Sequence, residues 1–259
     1  MTVRIAPAWF YFRTMVVVLL IWWVVSAWLG RPYLLPGPLA VGTEALELVA
    51  NGELVDALVV SAKRLLIAYS LAVAVGVPLG IAMGRIWIVN DLFDWLIEMV
   101  RPISGIAWIP ILLVVFGVSN AIPISIIFIA AVFPIILNAQ EGARTVEPNL
   151  LGAAEVLGAS RLRKLFQVIL PAALPNIITG ARIAFSVSWM ALIVAELVGA
   201  PNGVGYAIGF AQELGRATLV LAWIVYIGIF GYLIDVALRW VQARLTPWAA
   251  GLKVGGAAT

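Results

Sequence analysis

The sequence predicts an all-α membrane protein, a single domain over residues 1–259 that crosses a bilayer six times. Three observations carry that prediction. The first is composition: 64% of the residues are hydrophobic and only 11% are charged, against roughly 45–50% and about 25% in soluble domains. The mean hydropathy of +1.09 agrees. The second is a series of apolar runs near the roughly 20 residues a helix needs to cross a bilayer. The third is an uneven division of Lys and Arg between the loops that join those runs.

The runs lie at about 14–30, 65–84, 102–118, 121–138, 177–199 and 218–241. The first follows Arg4 and Arg13, as a signal peptide would. It is longer than such a peptide's apolar core, however, and Trp22, Trp23 and Trp28 suit the membrane interface. The third and fourth contain Pro102, Pro110, Pro123 and Pro134, which membrane helices tolerate when neighbours satisfy the freed backbone groups. Six crossings put both termini on one side. That side holds Arg4, Arg13, Arg85, Arg101, Arg144, Arg161, Arg163, Lys164, Arg239, Arg244 and Lys253; the other holds Arg31, Lys63, Arg64 and Arg216. The excess of cations predicts that both termini are cytoplasmic.

The outer loop after the first run opens with Pro32, Pro36, Gly37 and Pro38, and residues 39–56 read as a short surface helix. On the inner side, Asn90 is a candidate N-cap for an interfacial amphipathic helix. Asp91, Asp94, Glu98 and Arg101 take one face of it, and Leu92, Phe93, Leu96, Ile97 and Val100 the other.

The inner loop 139–176 is the most informative. Pro148 can open a helix over Leu150–Leu157 and Gly158 can close it. Ser160 can cap a second helix, and Pro171 and Pro175 are expected to break the chain before the fifth run. Arg161, Arg163 and Lys164 fall in that second helix's first turn, against the macrodipole. Their placement therefore calls for an anionic headgroup or a partner's acids. Glu155 is the only polar side chain of the helix over 150–157. Such a helix either folds back on its own bundle or enters the cleft of a soluble partner.

Loop 152–171 resembles the EAA loop of binding-protein-dependent ABC importer permeases. Ala153-Ala154 is followed by three residues and Gly158, and nine more lead to Val168-Ile169-Leu170-Pro171. The pattern's opening Glu is Gly152 here, while a Glu stands at 155. Arg101-Pro102, Ala107-Trp108-Ile109-Pro110, Phe116-Gly117, Trp189, Ala195-Glu196 and Gly203-Val204-Gly205-Tyr206 are similar to the nitrate/sulfonate/taurine/bicarbonate branch. The resemblance implies the type I importer permease fold, alternating access and a small anionic solute moved from periplasm to cytoplasm. It implies cytoplasmic ATP-binding subunits that hold ATP and Mg, a periplasmic substrate-binding protein and a second permease copy. The chain itself needs no cofactor. Candidate coupling residues are Ala153, Ala154, Glu155, Gly158, Leu170 and Pro171.

Candidate pathway residues come from polar groups near or within runs. Arg182 and Glu196 lie on one face of the fifth run with Ser186 and Trp189, and either line a pathway or snorkel to opposite interfaces. Lys63 and Arg64 at the mouth of the second run either favour an arriving anion or meet lipid headgroups. Asp235 and Arg239 are spaced for a local ion pair. Gly76, Gly80 and Gly84 are spaced for close helix packing. Residues Gly199 to Gly209 form a glycine-rich turn or a short re-entrant element.

Other functions fall by counting. With no His and no Cys, there is no thiolate nucleophile, no Ser-His-Asp triad and no Cys- or His-ligated metal. A Ser-Lys enzyme would need Ser61 and Lys63, which point apart on a helix. No GxxxxGK[ST] loop is present to cradle ATP. A net charge of +3 is too small to suggest nucleic acid. The alternative to an ATP-driven importer is an ion-gradient-driven transporter. It needs acids deep in the bundle, and only Glu196 and Asp235 approach that position.

Overall fold

The computed structural model describes residues 8–245, all of its regular elements helical. Arg4, Lys253 and both termini lie outside the described residues. Helices α1 (Ala8–Leu29), α3 (Glu53–Arg85), α6 (Ala121–Arg144), α9 (Leu170–Gly199, continued backward to Arg161) and α11 (Ala217–Leu245) are each long and apolar enough to cross a bilayer.

The run expected to cross at 102–118 is not a single spanning helix. A 3₁₀ turn at Gly105–Trp108 leads into α5 (Ile109–Phe116), together too short for a crossing. They follow α4 (Trp87–Val100) after a break that holds Pro102, and the two arms are bent by 85°, the geometry of a broken span or of an interfacial helix leading into a re-entrant one. Helix α4 itself starts at Trp87, one turn before the expected Asn90 cap. Ile86, in extended conformation, is its N-cap, so the chain passes from α3 into α4 through one residue.

Helix α6 is the centre of the bundle, with Ile122, Ile126, Ile127 and Ile135 fully buried between α3 and α9. The glycine row on α3 makes this packing possible. A Cβ on Gly80 would strike the carbonyl oxygen of Ile136, and one on Gly84 would stand 2.5 Å from the carbonyl oxygen of Gln140. Those obstacles are backbone, which cannot rotate away.

The surface helix expected at 39–56 is α2 (Pro38–Ala50), ended by a turn at Asn51-Gly52 before α3 begins. Val41 and Leu48 of α2 share a core cluster with Val204, Ile208, Leu219 and Trp223. At about 1.5 Å per residue α3 is about 50 Å long, well beyond a bilayer's apolar thickness. Helix α1 stands apart. Its side chains are mostly exposed, though Trp22 packs against the cluster around Val41 and Trp223; Trp22 Nε1 also donates to the Pro36 carbonyl at 3.1 Å, and Ser26 Oγ to the Leu35 carbonyl at 2.8 Å.

Pro171 and Pro175 do not break the chain as expected. A short α8 (Arg161–Lys164) runs through a π turn at Leu165–Ile169 directly into α9. Pro171 follows the π turn directly, as the second residue of α9, inside a helix that is continuous from Arg161. The carbonyl left unpaired by Pro175, one turn later, belongs to Pro171 itself.

Candidate functional site

Two polar constructions stand out, near opposite ends of α3. The first is the corner built by α7 (Pro148–Val156) and α8. Pro148 opens α7 at its first helical positions. The helix ends in a Schellman arrangement: Ala159 N–H donates to the Ala154 carbonyl and Gly158 N–H to the Glu155 carbonyl, both at 2.9 Å. Gly158 has φ +72°, the left-handed conformation that this cap requires and that glycine adopts without penalty. Ser160 then caps α8, its Oγ accepting from Arg163 N–H.

The two sides of α7 differ. Ala154 is buried, and Leu151 packs with Ile81, Val146 and Ile169. Gly152 and Ala153 are exposed, and Val156 and Leu157 are 89% and 82% exposed. A nine-residue helix therefore has an apolar outer face that its own chain leaves bare. Lys164 Nζ reaches back 2.6 Å to Glu155 Oε1 and ties the limbs of the corner together. The hydrogen bond from Lys164, with its charge, holds the Glu155 carboxyl below the usual carboxylate range. Leu170 and Pro171 lie beyond the π turn, where the corner joins α9.

The second construction is a buried cluster around Glu196, which is wholly inaccessible. Arg64 Nη1 donates to Glu196 Oε1 at 2.6 Å. The Ser61 hydroxyl lies 2.8 Å from each carboxylate oxygen and accepts the Val204 N–H at 3.0 Å. The Gly205 N–H donates to Glu196 Oε2 at 3.0 Å. The remaining guanidinium donors are also taken. Nε and Nη2 reach Asn120 Oδ1 at 2.9 and 2.5 Å, Nη1 reaches the Asn202 carbonyl at 2.7 Å, and Nη2 also reaches Asn202 Oδ1.

The cluster joins α3, the start of α6, the end of α9 and α10 (Val204–Glu213). It explains the glycine before α10 and the one at its second position. A Cβ on Gly203, at φ +109°, would stand 2.5 Å from Glu196 Oε1, and one on Gly205 would strike the Ile193 carbonyl. The carboxylate sits at the start of α10, where helix N–H groups and the macrodipole favour negative charge. The segment from Gly199 to Gly209 is thus a short turn followed by a helix, folded against an acid.

The structure brings Arg64 and Glu196 together and separates the other expected pathway residues from them. Lys63 points outward while Arg64 turns in, so the adjacent cations do not share a face. Arg182 belongs to a different cluster. It is half-buried, 3.3 Å from Asp235 and 3.4 Å from Gln242 Oε1, and Asp235 also pairs with Arg239. The exposed Ser186 donates its hydroxyl hydrogen to the Arg182 carbonyl. Trp189 packs over Gly231 of α11, where a Cβ would come within 2.8 Å of its Nε1.

The sequence reading missed Ser61, Asn120 and Asn202. One sign of Ser61 was available. Leu65, Ala68, Ala72 and Gly76 form the buried stripe of α3, and its backward extension meets Arg64 and Ser61. The two asparagines lie outside the long spans, and nothing in their local pattern marks them.

A family model described as "Binding-protein-dependent transport system inner membrane component" matches residues 76–247. The taurine transport system permease protein TauC of Escherichia coli is 38% identical over 241 residues, 91% of this chain and 88% of TauC. The bicarbonate transport system permease protein CmpB of Synechococcus elongatus is 36% identical over 236 residues, 86% of this chain and 84% of CmpB. Among solved structures, an inward-facing form of the MetNI methionine ABC transporter superposes with a TM-score of 0.65 at 20% identity. That match covers 74% of this chain and 95% of the other.

Proposed function

This chain belongs to the binding-protein-dependent transport system inner membrane components, and on that premise we propose that it is the membrane subunit of an ATP-driven importer for a small anion. Its fold is that of type I ABC importer permeases, and it is a multi-pass membrane protein. The solute class we propose is a sulfonate such as taurine, or bicarbonate or nitrate, moved from periplasm to cytoplasm by alternating access. The names of its relatives support that choice.

The observation that carries the reading is α7, a helix bare on one face and rooted in the bundle by the other. An ATP-binding subunit that holds ATP and Mg receives the bare face of Ala153, Val156 and Leu157. Its closure presses on α7. The displacement passes through Ala154, the Gly158 cap, the Glu155–Lys164 tie and the Leu170-Pro171 junction into α9. Two copies of the chain pair about an axis that holds the pathway, the termini face the cytoplasm, and a periplasmic protein delivers the solute. Lys63, Arg182, Ser186 and Trp189 are the proposed pathway contacts. Arg64 and Glu196 support the outer end of that pathway from behind.

The test uses the permease purified in mild detergent with its ATP-binding subunit, as wild type and as Leu157→Asp and Ala153→Asp. Both positions are exposed, so the variants are expected to keep the wild-type melting temperature and lose the subunit. Wild-type complex in liposomes with the binding protein is expected to accumulate taurine, bicarbonate or nitrate only when ATP is supplied. Retention of the subunit by both variants, or uptake driven by an ion gradient without ATP, overturns the proposal.

A further inference from the structure

The cations at the start of α8 are not explained by coupling. Lys164 is matched by Glu155, but Arg161 has no ion pair or side-chain hydrogen bond among the described residues, and neither has Arg85 at the end of α3. Both arginines line the rim of one cleft, of about 770 Å³, between the last turns of α3 and the α7–α8 corner. Apart from the Glu155–Lys164 pair, whose charges offset each other, the rest of its lining is apolar, with Val77, Ile81, Phe166 and Ile169. The volume is that of a site for a sizeable ligand.

Two free cations over an apolar slot specify an amphipathic anion. A small soluble anion would satisfy the arginines and leave the apolar lining wet. An acidic protein loop would do the same unless it also carried an apolar tail. The level of the cleft decides between lipid and protein. Helix α4 begins two residues after Arg85, and its exposed residues include Trp87, Ile88, Leu92 and Trp95. A tryptophan-rich amphipathic helix at a span's end marks the bilayer interface.

We propose that this cleft binds an anionic phospholipid of the cytoplasmic leaflet, its phosphate between Arg85 and Arg161 and an acyl chain along Val77, Ile81 and Phe166. The lipid bridges α3 to the corner that carries α7. The leaflet assignment rests on the proposed orientation; the binding chemistry does not.

The test is native mass spectrometry of the purified permease titrated with phosphatidylglycerol or phosphatidylcholine in mixed micelles. Wild type is expected to retain phosphatidylglycerol selectively. Arg85→Gln with Arg161→Gln is expected to weaken that retention roughly thirtyfold, for two cations at a membrane surface. Phe166→Asn, at an exposed position of the lining, is expected to weaken it too, and millimolar inorganic phosphate is expected not to displace the lipid. Equal retention of the two lipids, no effect of the double variant, or displacement by phosphate overturns the proposal. So does a crosslink from Arg161→Cys to an acidic loop of the ATP-binding subunit in lipid-saturated complex. Orientation is read separately in this cysteine-free chain. Labelling of Leu157→Cys by an impermeant maleimide in intact cells would reverse the leaflet and leave the detergent binding result standing.

Discussion

Two ion pairs, Arg64–Glu196 and Lys164–Glu155, have the same 2.6 Å separation and lie near opposite ends of α3. The side chains of the first are 4% and 0% exposed; those of the second are 20% and 66% exposed. Distance therefore says nothing about what each contributes. The exposed pair stays in water, which screens it and already solvates both partners. The buried pair has lost that solvation, and its charges are tolerable only because every partner is in place. One holds four elements rigid; the other is a tie at a corner we propose must move.

The sharpest way to break this contrast is to remove one partner of the buried pair. Arg64→Ala leaves the Glu196 carboxylate enclosed with only Ser61 and the Gly205 N–H. The expected cost is about 3–5 kcal/mol, seen as a large fall in the detergent melting temperature. Arg64→Met combined with Glu196→Gln is expected to recover most of it, because the stranded charge is gone. Unfolding of Arg64→Ala at the wild-type temperature would show that water reaches the site and that the comparison is false.

Glycines give a second, smaller contrast between the same regions. Gly203 is at φ +109° and ψ 177°, beside the Glu196 carboxylate. Gly203→Ala is expected to cost about 1–3 kcal/mol from backbone strain, and more from the collision. Gly152 lies on the bare face of α7 with nothing within 4 Å of a Cβ placed there. Gly152→Ala is expected to raise stability by up to about 1 kcal/mol, the helix gain of Ala over Gly. Matched thermal melts of the two variants check both signs. A loss from Gly152→Ala would mean that α7 is already covered.

The two regions were not equally legible in the sequence. The α7 corner is made by local chemistry: a proline that can start a helix, a glycine that can end one and a serine that caps the next. Each acts within five residues of itself, so the sequence reading placed all three. The Arg64–Glu196 cluster joins residues 132 apart, and no periodicity within one helix encodes which span faces which. Prolines misled for a related reason. Pro171 and Pro175 read as a break because local rules assume an α-helical ladder, and the π turn ahead of them removes that assumption. The bend between α4 and α5 was hidden likewise. Hydropathy registers apolar length, and an 85° bend leaves the length of an apolar run unchanged.

The smallest effect expected is at the exposed pair, and pH reads it best. Lys164 holds the Glu155 carboxyl below its ordinary value of 4.5. A carboxyl whose folded value is depressed adds stability that is fully present above 4.5 and is lost as pH falls through the lowered folded value. Lys164→Gln removes the depression, and Glu155 is then expected to titrate at a higher pH than in the wild type. Carboxyl carbon NMR of selectively labelled permease, in wild type and variant, measures both midpoints directly. At pH 7 the melting temperature is expected to be unchanged, because water screens the pair. In the assembled transporter the same variant is expected to lower ATP-coupled uptake while the ATP-binding subunit stays bound, because the tie between the limbs of the corner is gone and the bare face of α7 is intact. Loss of the subunit from Lys164→Gln would place Lys164 in the docking contact itself, and the corner would then transmit through its apolar root at Leu151 and Ala154.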